Sequence, residues 1–107
     1  MHNLNPNIHP LIQASLSKFS GRFEAWEHKA DNLELYCAYY PPGTIIDNHT
    51  HETDNCGIII QGQMFVTIDG VEKSYGVGDW YSVEAGVVHS ARTVEMTSEI
   101  EFWFKKL

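Results

Sequence analysis

The 107-residue chain is short of several things, and each shortage closes off a class of protein. It has only two cysteines, Cys37 and Cys56, on separate apolar stretches. A disulfide-stapled domain of this size normally uses about four or more, so free, packed thiols in a reducing compartment are expected. No apolar run approaches the roughly 20 residues that cross a bilayer. The opening Met1-His2-Asn3-Leu4-Asn5-Pro6 lacks the basic stretch and hydrophobic segment of a signal peptide, so no membrane partner and a cytoplasmic location are expected. Basic residues are scarce too, seven Lys and Arg against fourteen Asp and Glu, a formal charge of −7. That balance gives no electrostatic footprint for nucleic acid. The length excludes a second domain, and a hydrophobic content of 43% excludes a disordered chain.

What remains is a chain of short strands. Residues 1–20 read as an irregular arm with one short helical turn, from Pro6 and Pro10 followed by Ile12, Leu16 and Phe19 at spacings of three to four. Residues 21–107 read as one all-β domain. Strands are expected near Arg22–His28, Leu33–Tyr40, Cys56–Gln61, Met64–Ile68, Glu72–Tyr75, Trp80–Val83, Val87–Thr93 and Glu99–Phe104, with a polar loop between Gly43 and Asn55. Asp69-Gly70 is a two-residue hairpin signal. Alternation puts Met64, Val66 and Ile68 on one face, and sets Ile58 and Ile60 against Ile59. A sandwich, a closed barrel and a jelly roll all fit this pattern.

The unusual feature of the composition is six histidines. His2, His9 and His28 show no grouping. His49 and His51 are separated by one residue, so on an extended backbone their imidazoles point the same way, and His89 opens a strand forty residues after His49. A fold that lays the His89 strand alongside adds a third imidazole. Three neutral imidazoles with an open position suit a transition metal that must bind water, dioxygen or substrate.

Around these histidines the glycines keep a fixed spacing. Gly43, His49, His51, Asn55 and Gly62 form one block, and Gly78, Glu84, Gly86, His89 and Thr93 a second. Together they resemble the two signatures of the cupin superfamily, over roughly Tyr39 to Phe104, and the chain is similar to a small single-domain member. The resemblance implies a jelly-roll β-barrel, also called a double-stranded β-helix, with a divalent transition metal such as Fe, Mn, Ni or Zn. His49, His51 and His89 would hold it, with Asn55 as a fourth ligand. It implies a homodimer with the arm packed across the interface. It further implies a metal-dependent lyase, isomerase or oxygenase acting on a small polar or anionic metabolite. The alternative of another class is a non-catalytic ligand-binding or sensing module.

The departures from the family pattern carry information. Asn55 stands where a glutamate usually completes the metal set, Glu84 stands for a proline, and Thr93 for an asparagine. Glu84, Tyr81 and Arg92 are the catalytic candidates: Glu84 has the plain reading of a solvated loop charge beside it, and Tyr81 and Arg92, as plausible pocket groups, each have a structural reading. On the last strand Phe102 and Phe104 share one face and Trp103 takes the other, so whichever face turns inward is expected to be mostly aromatic. No carboxylate is expected at the metal. The chain resembles the pectin-degradation cupins, which act on unsaturated uronates, in size and layout. Those cupins carry an acidic residue two before their final phenylalanine, and Phe102 stands there in this sequence.

Overall fold

The Asp69-Gly70 hairpin forms as its sequence dictates. Both residues sit at positive φ, 51° and 77°, the twist a two-residue turn needs to match its flanking strands. A computed structural model describes residues 9–19 and 24–105. Its strands are β1 (Ser17–Lys18), β2 (Glu24–Lys29), β3 (Leu33–Tyr40), β4 (Ile45–His49) and β5 (Asp54–Gln61). They continue as β6 (Gln63–Ile68), β7 (Val71–Gly76), β8 (Trp80–Val83), β9 (His89–Thr93) and β10 (Thr97–Phe104). One short helix, α1 (Pro10–Ser15), lies within the expected arm. The arm does not stay irregular to its end, since β1 pairs with β2 and adds an edge to the sheet. His2 and the expected strand start at Arg22 lie outside the described residues.

The strands form a six-stranded sheet in the order β1-β2-β3-β10-β5-β8 and a four-stranded sheet in the order β4-β9-β6-β7, with antiparallel pairing throughout. The fold is a jelly roll of two sheets. The expected barrel is not closed, because no ladder joins the edges of one sheet to the other among the described residues.

Strand β4 lies in the stretch that reads as a polar loop. Ile45-Ile46-Asp47-Asn48-His49 has no alternation, and it is extended because β9 pairs with it, Ile45 against Arg92 and His49 against His89. Gly62 links β5 to β6 at φ 76°, and a Cβ there would run into the Met96 carbonyl oxygen, so glycine is required twice over.

The core lies between the sheets. Tyr36, Ala38, Tyr40, Ile59, Met64, Val66, Tyr81 and Val83 fill it, following the alternation expected for β5 and β6. Strand β10 departs from expectation. It turns Glu99 and Glu101 inward, 1% and 8% exposed, together with Trp103, and turns Ile100, Phe102 and Phe104 outward. On that outward face the register lines up Cys37, Ile100, Ile58 and Trp80 in one row and Leu35, Phe102, Cys56 and Ser82 in the next. Trp80 and Phe102 stack at 6.1 Å between ring centroids. Both cysteines are free thiols, as expected. Burial pushes the Cys37 thiol up to about 11.

Candidate metal centre

His49 closes β4, His51 follows two residues on, and His89 opens β9 directly opposite His49. Their rings lie 4.1 Å (His49 to His89), 4.8 Å (His49 to His51) and 5.2 Å (His51 to His89) apart by centroid. The ligand atoms of all three fall within 4.8 Å of one another. Two backbone carbonyls set the ring orientations. His49 Nδ1 is 2.7 Å from the Asp47 oxygen, and His89 Nδ1 is 3.0 Å from the Val87 oxygen. A ring that donates its Nδ1–H to a carbonyl carries its lone pair on Nε2, the atom offered to a metal. The His51 loop is tied down by its own carbonyl, which accepts from Gly86 N at 2.8 Å, while Asp54 Oδ1 accepts from Ala85 N at 2.8 Å. The donor set and its carbonyl supports fit a divalent transition ion.

Asn55 is buried on β5, with its side chain among the walls of the same cavity. Its Oδ1 accepts from Thr53 Oγ1 at 2.6 Å, so the amide oxygen is already engaged. Thr93 accepts from Thr44 N at 3.2 Å and donates to the Pro41 carbonyl at 2.9 Å, which braces the turn before β4.

The cavity measures about 380 Å³ and reaches from the histidines down the inner face of β10. Trp103 lies level with Asn55, Glu101 with Gly57 and Glu99 with Ile59. At about 3.3 Å per residue, Glu101 is about 7 Å further along the strands than Trp103. The His51 and Trp103 rings are 4.4 Å apart, and Trp103 Nε1 donates to Glu101 Oε1 at 3.2 Å. Tyr40 Oη donates to Glu99 Oε2 at 2.7 Å and lies 3.5 Å from Glu101 Oε2. Tyr81 Oη donates to Glu99 Oε1 at 2.5 Å. Room for that bond comes from Gly57, where a Cβ would fall 2.6 Å from Glu99 Oε1 and 2.7 Å from the Tyr81 ring.

Burial, and then the neighbouring Glu101 charge, push Glu99 well above the ordinary carboxylate range, against the pull of the two tyrosine hydroxyls. Burial raises Glu101 as well, opposed by the Trp103 indole. The two tyrosines are held neutral by burial and by the adjacent carboxyls. Two carboxyl groups this close and this dry favour holding a proton between them.

Of the sequence candidates, the structure gathers His49, His51, His89, Asn55 and Tyr81 around one cavity. Glu84 sits exposed on the turn before Gly86, away from the cavity walls. Arg92 points to the outer side of β9, where it forks onto Glu72 at 2.9 Å and 2.9 Å and lies 4.2 Å over the Phe65 ring. Sequence reasoning missed Glu99 and Glu101. The signal available was the strict alternation of Glu99, Glu101 and Trp103, which reads equally well with either face inside.

Residues 37–102 match the family model described as the cupin domain. A search of curated protein sequences returns no match. Among solved structures, KdgF from Halomonas sp. is 19% identical with a TM-score of 0.74, covering 86% of this chain and 88% of that one. An RmlC-like cupin from Shewanella frigidimarina is 20% identical with a TM-score of 0.75, covering 85% and 83%. Oxalate decarboxylase of Bacillus subtilis, a protein with Mn(II) centres, is 21% identical with a TM-score of 0.76, covering 87% of this chain and 28% of that one. At these identities the likeness is one of fold.

Proposed function

The chain belongs to the cupin family, and from that premise we propose that it is a metal-dependent enzyme of the lyase, isomerase or oxygenase type acting on a small polar metabolite. The observation that carries this reading is that the three histidines and the buried carboxyl pair line one cavity. A divalent ion such as Fe, Mn, Ni or Zn would be held by His49, His51 and His89 and would supply Lewis acidity to a substrate oxygen.

The chain's own residues do the rest. Glu99 and Glu101 hold a proton in reach of the cavity, Tyr40 and Tyr81 fix Glu99, and Trp103 fixes Glu101. Ile46, Met64, Val66 and Val83 keep water from the walls. Buried carboxyls cost stability unless paired, and raised carboxyl pKa values in a cavity are a mark of acid–base sites. A sensing module would need the metal pocket without that cost. Its support is Asn55, which leaves the metal set without a carboxylate.

Metal analysis of untagged protein tests the reading, followed by a turnover screen by NMR with and without chelator. One equivalent of metal per chain is expected, lost in the His49→Ala, His51→Ala double variant. No stoichiometric metal, or full metal in the double variant, contradicts it. In Asn55→Glu, tighter metal binding with no turnover of any carboxylate or sugar in the screen favours the sensing module.

We also propose that a second copy covers the outward face of the six-stranded sheet. Over β3, β10, β5 and β8 its two central rows carry no charged side chain, and only at the far edge does one of them reach a charge, Lys18 beyond Trp26; in a chain of net charge −7 the uncharged stretch is where two identical acidic molecules can approach without repulsion.

A further inference from the structure

None of the five described lysines and arginines lines the cavity. Three of them are engaged elsewhere, Lys18 with Glu24, Arg92 with Glu72 and Lys105 with Glu34. The cavity therefore has two chemically distinct ends. At the histidine end, three imidazoles bring no negative charge, so a divalent ion held there would keep an uncompensated positive charge and would favour an anionic oxygen. At the other end stand two carboxyl groups and two tyrosine hydroxyls, and no cationic group among the described residues. The walls between are aromatic and aliphatic.

The geometry points to a ligand with one acidic end and one uncharged, hydrogen-bond-donating end: we propose a small monocarboxylate with a distal hydroxyl, a hydroxy acid, in preference to any dicarboxylate. Its carboxylate faces the histidines, and its hydroxyl donates to Glu101. The size agrees, since about 380 Å³ is at the small end of ligand cavities, which span about 300–1,000 Å³. The spacing agrees as well. Trp103 stands between the two ends, its ring 4.4 Å from that of His51 and its Nε1 3.2 Å from Glu101 Oε1, so they lie about one indole side chain apart, a span that a chain of four to five carbons can cover.

A second carboxylate at the glutamate end would be dried without a counter-charge, beside groups that already compete for one proton. Burying an unpaired charge costs far more than burying a hydroxyl with an acceptor. This inference rests on the proposed metal site and goes beyond it by assigning the far end of the substrate.

The test uses a matched pair of probes, 5-hydroxypentanoate and glutarate, which share one carboxylate and the same chain length and differ only at the other end. Their binding to Mn(II)-loaded protein is read from the paramagnetic relaxation of the probe protons, with metal stoichiometry measured on the same sample. The hydroxy acid is expected to bind tighter by about tenfold or more. In Glu101→Gln, which keeps the shape and removes the charge, the gap should shrink to about threefold or less. Glutarate binding as tightly as the hydroxy acid in the wild type overturns the inference, as does an unchanged gap in Glu101→Gln. Binding of neither probe at millimolar concentration overturns it too. Protein that takes up no Mn(II) refutes the metal site instead, so the two failures are separable.

Discussion

Along β10 the side chains that a strand ordinarily gives to water, Glu99 and Glu101, are buried, while Ile100, Phe102 and Phe104 on the opposite face are half-buried or exposed. The inner face is made tolerable by partners. Tyr40 and Tyr81 donate to Glu99, Trp103 donates to Glu101, and the missing side chain of Gly57 leaves them room. The outer face has its own continuity, from Leu35 and Cys37 through Ile100 and Phe102 to Ile58 and Trp80. Hydropathy alone would turn this strand over. What holds its register is a polar network at the bottom of a cavity, which costs stability and gives chemistry.

That contrast can be broken most sharply at Gly57. Gly57→Ala pushes a methyl into Glu99 and the Tyr81 ring and should destabilise by about 1–3 kcal/mol in chemical denaturation. Ser82→Thr, which adds a methyl on the exposed outward face, should change stability by less than about 0.5 kcal/mol. Equal losses in the two variants would mean that the inner face is not tightly packed around the carboxyls.

The next effect is pH dependence in metal-stripped protein. Burial raises the Glu99 pKa above its ordinary value of 4.5, so its favourable contribution is complete only below that value and drains as pH rises through the folded pKa. Stability should fall with rising pH, by at most about 1.4 kcal/mol per unit for one proton. Glu99→Gln should flatten the profile. A wild-type profile as flat as the variant's would contradict the buried acid.

The smallest effect on folding belongs to the outer face. Trp80, 55% exposed, can be changed to Asp with a cost of about 1 kcal/mol or less and no loss of metal. The readout is self-association: light scattering should find a dimer in the wild type and a monomer in Trp80→Asp. A monomeric wild type would remove the second copy from that face.

The contrast also separates what is legible in the sequence from what is not. The histidine set was legible because its members sit in fixed relation to glycines at φ 77° (Gly43), 88° (Gly78) and 81° (Gly86), positions that a turn imposes locally. Parity along β9 already separates Arg92 from His89, three residues away and so on the other face, although both fall in the same motif. Strand β4 was not legible, because its extended form comes from pairing with β9 and not from its own alternation. The facing of β10 was not legible either. Glu99, Glu101 and Trp103 alternate as cleanly as Ile100, Phe102 and Phe104, and the choice is made by Tyr40 and Tyr81, 59 and 18 residues away from Glu99 in the chain.

One cavity joins the three-histidine cluster to a buried carboxyl pair. Anomalous diffraction from crystals of metal-loaded protein tests it directly. A single peak bonded to His49, His51 and His89 is expected, with Glu99 and Glu101 facing the same cavity. No peak among the three imidazoles, or carboxyls turned out to solvent, would contradict it.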